Sequence, residues 1–578
     1  PSNGRLLDDG TVDLSDFPRA TSGLLVIYRR AIEHVIHGFS TMPVTYVPLS
    51  APFAGTLPEA ADTLAATSGI QLVRIDGSDC TAHVPVESKV SSEHDNYLPE
   101  NTLEVAPVPG FALAPSITYA LLVRSSLGIQ PAAAFTETLA QAATDEGASP
   151  EAAALAPLTA CLPSLGLTAA DLASATVFTT ADPVFELRQL EKDVLDPAVT
   201  AEPEVTAFAF SDTYTRAGYR TFLGSYQTPI FMTGTTPYLT AGGDIVFGED
   251  GHATVQRYEA VPFSVVIPDG VEGPLPVLVW IDGTGADQTS HIRGAPTQQA
   301  LRRGFAVANF QPQFHSGRSG EGVDEVTATF NYSNPVAGRN NFRQQVADTS
   351  YFVRLLEQAA EKLPGIPALD LSRMVYGGQS QGSDVGAIVA GIDQRFVAFG
   401  LNGVGSYLSM TIVARKDPVD IAATIKSILG VSGTIDRFHP VVQVAQLGAD
   451  VVDAHNYSPY WKGFDGSEHG TSVFMTNGYL DHTTSPIGMN ALSIAGDVPA
   501  IDPAGWEIDP FGVWDRADES LPLSGNRTAL DGTPLTMGMY MDASTGHYTI
   551  FDKAPVMQVM ADFWQSALAG TPTLHPIE

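Results

Sequence analysis

The 578-residue sequence predicts a two-part protein, an all-β region followed by an α/β region built on a mainly parallel sheet. Three observations carry this expectation. Short β-prone runs broken by Pro and Gly occupy the first third of the chain. Strand and helix patterns alternate from about residue 240. Within that second part a Gly-x-Ser-x-Gly turn, Gly378-Gln-Ser-Gln-Gly382, directly follows an apolar run.

The early runs are 24–28, 44–49, 70–75, 102–106, 117–124 and 175–180, and together they suggest an Ig-like β-sandwich over residues 1–185. An Ala-rich segment, 131–174, interrupts them as a helical insert. Residues 186–240 read as a linker or extended segment, with the polar stretch Ala201-Glu-Pro-Glu204 as its clearest mark. In the second part, 241–578, an antiparallel pair is expected at 243–247 and 257–267, joined around Glu249-Asp-Gly251. Strands follow at 276–281 and 305–310, then a helix from about 342 to 363 with Val346, Val353, Leu356 and Leu363 on one stripe. The serine strand 373–377 comes next, backed by a small-residue helix at 384–392; later strands end near Asn402 and span 472–477 and 535–541, before a final helix near 555–569. That order fits an α/β-hydrolase sheet.

Between Asn402 and Ser472 lie too many residues for a plain connection, so 405–470 is expected to form a lid. Its helix would be capped by Asp417, start at Pro418 and carry Ile421, Ile425, Ile428 and Leu429 on one face. The alternative is that this face simply packs on the sheet. Tyr457-Ser-Pro-Tyr-Trp461 would line the pocket entrance or its base.

A formal charge of −34 argues against nucleic acid or an anionic membrane as an electrostatic partner. Solubility is the plainer reading of that acidity. No run of 18 or more apolar residues occurs. The chain starts at Pro1, which suggests a processed terminus and a secreted or outer-surface protein whose export signal is out of view. Cys80 and Cys161 could form one disulfide or remain two buried thiols, and neither belongs to a metal-binding spacing.

The chemistry centres on Ser380. A serine hydroxyl becomes a nucleophile when a sharp strand-to-helix turn lifts it toward a base, and glycines two residues to either side leave room for that turn. The base needs an orienting acid, and in this fold the chain order is Ser, acid, His. Asp481 lies just past the 472–477 strand and is the candidate acid, its rival reading being a turn or N-cap aspartate. His547, alone among the histidines, falls between the last strand and the final helix and is the candidate base. His482 reads as a loop or pocket-rim residue, His315 as a loop brace, and His575 lies close to the end of the sequence. Two backbone N–H groups should meet the developing oxyanion: that of Gln381, next to the nucleophile, and that of Thr284 in Asp282-Gly-Thr-Gly285, with Gly283 or Gly285 as alternatives. The same glycines could instead serve only a tight turn. No cofactor or metal is implied.

With these motifs the chain resembles bacterial extracellular or surface-lipoprotein lipases and esterases that carry a β-sandwich before an α/β-hydrolase domain. The residues involved are Gly38-Phe-Ser-Thr-Met-Pro43, 177–180, Asp282-Gly-Thr-Gly285, His315-Ser-Gly-Arg318, Gly378-Gln-Ser-Gln-Gly382 and Gly546-His547. Asp282 departs from the histidine expected in a His-Gly-Thr-Gly loop. The resemblance implies hydrolysis of small-molecule, lipid or polymeric esters, with contact to a lipid surface possible, and leaves acyl length and oligomeric state open. A polyester depolymerase or a serine peptidase of the same fold is the alternative enzyme. A surface adhesion protein with an inactive hydrolase domain is the alternative of another class.

Overall fold

The computed structural model describes every residue except 20–22, 34, 77–79, 145–148, 321, 465–467 and 578. Backbone packing divides the chain into two compact units, the first comprising Pro1–Pro183, Leu408–Asp450 and Asp509–Asp515. Part of the expected helical insert (145–148) and of the expected lid (465–467) lies outside the described residues.

The first unit contains two antiparallel sheets. One has Thr45–Pro48, Thr102–Pro107 and Val86–Val90 in that spatial order; the other has His83–Val84, Ile70–Arg74, Thr118–Arg124 and Leu172–Thr179. Strand alternation explains how one strand serves two cores. Tyr119, Leu121 and Val123 join Leu72, Val86, Leu103 and Val105 in an apolar cluster shared by the two sheets. Ala120 and Leu122 point the other way, against Leu139, Leu155 and Leu158 of helices Ala133–Ala142 and Pro150–Cys161. Cys80 and Cys161 are bridged, with Cα atoms 5.7 Å apart.

Two expectations change here. Residues 24–28 form no strand but lie in the helix Gly23–Arg30. Leu25, Tyr28 and Ile32, spaced by three and four, face apolar partners, a helical period that a five-residue window cannot display. The larger change concerns the lid. Residues 408–450 belong to the first unit, and its helix is Ile421–Leu429, capped by Asp420, whose carboxylate accepts the Ala423 N–H at 2.9 Å, rather than by Asp417. Leu429 is buried with Leu25, Tyr97, Val431 and Val441, Ile425 packs against this cluster, and Ile428 points outward. The helix face is therefore core of the first unit. Ile425→Asp is expected to lower the melting temperature of that unit, at a cost of about 2 kcal/mol for placing a carboxylate in apolar surroundings. A thermal melt followed by circular dichroism checks this.

The second unit comprises Val184–Tyr407, Val451–Ile508 and Arg516–Glu578. Its nine strands are β1 (Glu204–Phe210), β2 (Tyr219–Ile230), β3 (Arg257–Pro268), β4 (Leu275–Ile281), β5 (Ala306–Phe310), β6 (Leu369–Gln379), β7 (Ala398–Asn402), β8 (Ser472–Gly478) and β9 (Met537–Asp542). They lie in the order β9-β8-β7-β6-β4-β5-β3-β2-β1. The segment expected to be a linker thus supplies a helix, Phe185–Leu195, the edge strand β1 and the strand β2 beside it. β3 pairs antiparallel with β2, in register from Arg257↔Ile230 to Pro268↔Tyr219, and with β5 on its other side, while Ile245 and Phe247 make only isolated bridges.

From β5 through β9 neighbouring strands run parallel, as does the β4–β6 pair, and strand order reverses around β4 and β5. This is the sheet of an α/β-hydrolase domain. The register pairs Ile281 with Gly378, Gln379 with Asn402, Asn402 with Thr476 and Gly478 with Asp542. The loops leaving β4, β6, β7, β8 and β9 consequently emerge at one edge, where side chains from distant parts of the chain can converge. Helix α1 (Pro335–Glu357), with Asn334 as N-cap and Pro335 in its first turn, starts seven residues before the expected boundary. Helices α2 (Gln381–Val389) and α3 (Ala554–Ala567) complete the layers, and Trp564 of α3 packs edge-on to Trp280 of β4. Tyr457 and Trp461 are fully buried and line no entrance: the Trp461 indole N–H donates to the Ala387 carbonyl behind α2.

Candidate active site

Ser380 stands between β6 and α2 with φ 55° and ψ −124°, a conformation that residues with a Cβ adopt only under constraint. The constraint is visible. Its N–H donates to the Asn402 carbonyl at 3.0 Å, and its own carbonyl accepts the N–H groups of Ser383 and Asp384 at 2.7 and 2.9 Å. The flanking glycines answer to space: a Cβ on Gly378 would lie 2.6 Å from the Gly382 carbonyl oxygen, and one on Gly382 only 2.1 Å from that of Ile281. No side chain fits at either position.

Asp481 follows β8 and is buried. Its Oδ1 accepts the N–H groups of Thr483 and Thr484, both at 2.8 Å; its Oδ2 accepts the Thr484 hydroxyl at 2.7 Å and lies 2.7 Å from His547 Nδ1. An ionised carboxylate only accepts, so the His547 proton sits on Nδ1 and Nε2 is left as the base. Thr484 Oγ1 also stands 3.1 Å from His547 Nδ1 and 3.0 Å from the Gly403 carbonyl.

The base is tied to the nucleophile through the backbone. The His547 carbonyl accepts from Gln379 Nε2 at 3.1 Å and from Asn402 Nδ2 at 3.0 Å, so Asn402 holds the Ser380 N–H with its carbonyl and the His547 loop with its amide. A Cβ on Gly403 would come within 3.1 Å of the His547 ring, which fixes how closely the imidazole rests on the β7 end. Among the described residues no hydrogen bond joins Ser380 Oγ to His547 Nε2.

The loop after β4 lies against the same turn, since a Cβ on Gly283 would stand 3.0 Å from both Ser380 Cβ and Gln379 Oε1. Thr284 and Gln381 are in direct contact through their side chains, Thr284 Oγ1 donating to Gln381 Oε1 at 2.7 Å. His315 is fully buried and places Nε2 3.1 Å from the same oxygen, the bracing position expected of it. Burial pushes the His315 imidazole down to about 4, with Gln381 opposing and Arg318 assisting, so it is neutral near pH 7.

Other candidates fall away. Asp384 is committed to the Gly405 N–H at 2.5 Å, and Asp542 to the N–H and hydroxyl of Ser544 at 2.8 and 2.7 Å. His482 and His575 are exposed. His252 and His469 also face aspartates, at 2.7 and 2.6 Å, so a His–Asp pair by itself is not diagnostic; attachment to the Ser380 turn is what sets His547 apart. No grouping of three or more His, Cys, Asp or Glu side chains suited to a metal ion occurs among the described residues. Sequence reading missed Asn402, Gln379 and Thr484. Thr484 carried a signal, because a Thr three residues after an Asp commonly donates back to that carboxylate. Asn402 carried none beyond its place at a strand end.

Asp282, the departure noted in the sequence, accepts the Trp280 indole N–H at 2.8 Å and stands 3.4 Å from Asn309 Nδ2. Burial pushes its carboxyl up to about 6 despite these donors. A carboxyl raised in this way contributes stability that is fully present below its unfolded pKa and is lost as pH rises through about 6. Asp282→Asn is accordingly expected to melt higher than the parent at pH 8 and to lose that advantage below about pH 4. Melting curves at the two pH values check this.

No protein-family model matches the chain, and no curated protein matches it. Among solved structures it is similar to an acetyl xylan esterase from Paenibacillus sp. R4, at 15% identity over 66% of this chain and 93% of that one, with a TM-score of 0.39. It is likewise similar to acetyl xylan esterase 1 from Thermoanaerobacterium sp. JW/SL YS485, at 13% identity over 65% and 93%, TM-score 0.38. An S-formylglutathione hydrolase from Agrobacterium tumefaciens gives 13% identity over 64% and 99%, TM-score 0.33. Likenesses this distant carry no argument about activity, which must come from the site itself.

Proposed function

We propose that the protein is a serine carboxylic-ester hydrolase acting through Ser380, His547 and Asp481. The observation that carries the reading is the attachment of the His547–Asp481 pair, 2.7 Å apart, to the strained Ser380 turn through Asn402 and Gln379. Asp481 holds the imidazole in the tautomer that leaves Nε2 able to take the Ser380 proton. Oγ attacks the ester carbonyl, and the oxyanion is met by the N–H groups of Thr284 and Gln381. Collapse of the tetrahedral intermediate expels the alcohol, which takes the proton from His547, and leaves an acyl-serine. Water, deprotonated by the same imidazole, then releases the acid.

The substrate is a small-molecule, lipid or polymeric ester. We read the two antiparallel sheets of the first unit as a sandwich-type binding or spacer module without catalytic groups. The Cys80–Cys161 bridge favours an oxidising compartment and hence a secreted or outer-surface protein. No helix among the described residues is long and apolar enough to cross a membrane. A screen of p-nitrophenyl esters of graded chain length, beside a soluble peptide and a polyester film, tests the reading. Hydrolysis confined to the peptide or to the film would transfer the assignment to a peptidase or a depolymerase.

A further inference from the structure

We propose that the side-chain amide of Gln381 is a positioning group that sets the Thr284 N–H relative to the Gln381 N–H, and so the geometry in which the oxyanion is received. The proposal rests on the ester-hydrolase reading of the site.

Three elements meet on this one amide. Its Oε1 accepts the Thr284 hydroxyl at 2.7 Å and faces His315 Nε2 at 3.1 Å, while its Nε2 donates to Gln345 Oε1 of α1 at 2.7 Å. Gln381 and Gln345 are almost completely buried and His315 wholly so, so a partner lost on that side is not replaced by water, while Thr284 at the fourth corner is half-buried. The Oε1 atom uses both acceptor positions and Nε2 one donor, a combination that a carboxylate or a thioether of similar length cannot reproduce. Thr284 sits between Gly283, which packs on Ser380, and Gly285 at φ 90°, so its peptide plane has glycine hinges on both sides. Besides the Ala286 N–H to Gly283 carbonyl bond at 3.3 Å, the hydroxyl bond to Gln381 ties that residue to the nucleophile turn. Gln381 thereby contributes twice: its backbone N–H meets the oxyanion, and its side chain aims the second donor.

The test uses the full-length protein with a short acetate ester and a trifluoromethyl ketone as mimic of the tetrahedral intermediate. Thr284→Val keeps the backbone N–H and the branched shape but deletes the hydroxyl, and Gln381→Met deletes the amide at similar volume. Each is expected to lower kcat by roughly 10–100-fold with KM within about threefold, and to weaken the ketone by the same factor as kcat/KM. Their combination should be no worse than Gln381→Met alone, because the Thr284 hydroxyl bond is already lost in that variant together with those to His315 and Gln345. Thr284→Ser, which restores the hydroxyl, should recover most of the loss. If Thr284→Val does not fold, as judged by its melting curve, Gln381→Met gives the same readout. Parental kcat and ketone affinity in the folded variants, with the parent still acylated at Ser380, would overturn the positioning role alone. Parental activity persisting in Ser380→Ala would overturn the ester-hydrolase reading and this proposal with it.

Discussion

Ser380→Ala is expected to lower kcat for a short ester by a factor on the order of 10^5 while leaving the melting temperature unchanged. The two halves of that result have separate causes. The Oγ is the atom that forms the acyl bond, so its removal leaves only what the Thr284 and Gln381 donors and binding supply. The backbone at position 380 is held at φ 55° by Asn402, Ser383 and Asp384, and alanine bears the same strain there as serine. Glycine does not, so Ser380→Gly should be as inactive as Ser380→Ala and more stable by about 1 kcal/mol. Ser383 cannot take over, since its hydroxyl donates to the Asn402 carbonyl at 2.9 Å beneath the turn. Rates on p-nitrophenyl acetate and paired melting curves measure both halves.

His547→Ala should cost as much as Ser380→Ala, and the double variant no more than either, because nucleophile and base act as one unit. Asp481→Asn is expected to be milder, at about 10^3–10^4-fold in kcat. An amide there can present an N–H to His547 Nδ1 and so favour the tautomer that blocks Nε2. The neighbouring donors enforce this: Thr483 and Thr484 place two N–H groups on Oδ1, which orients the amide oxygen toward them and its nitrogen toward the histidine. Full activity in Asp481→Asn would mean that another group orients the imidazole. Kinetics of the four variants on one substrate decide between these outcomes.

The site was more legible in the sequence than the fold around it, for physical reasons. Ser380 announced itself because Gly378 and Gly382 are demanded by backbone contacts under 3 Å, so the pattern is a direct print of the turn. Asp481 and His547 followed from strand order, since the parallel register brings the ends of β8 and β9 to one edge. β2 was hidden because its sequence contains Gly224 and Pro229, which read as breakers. In the folded chain Gly224 makes room for the Phe263 ring of the neighbouring strand, where a Cβ would stand 2.3 Å from Cε1. The helix Gly23–Arg30 was hidden because apolar runs this short have no readable period. The role of the 408–450 segment was hidden because amphipathicity shows that a helix face is buried, not which partner buries it; here the partners are Leu25 and Tyr97, more than 300 positions away. The Gln381 amide was invisible for the same reason, its three partners lying in three separate segments.

The central claim, that Ser380 is the nucleophile activated by His547, is tested most directly by covalent labelling with a fluorophosphonate followed by tandem mass spectrometry of the tryptic peptide spanning residues 374–395. That peptide contains both Ser380 and Ser383, so fragment ions must place the adduct. The account predicts a single adduct on Ser380, absent in Ser380→Ala and formed at least about 10^3-fold more slowly in His547→Ala. An adduct on Ser383 or elsewhere, or ester hydrolysis that continues with Ser380 unlabelled, would contradict it.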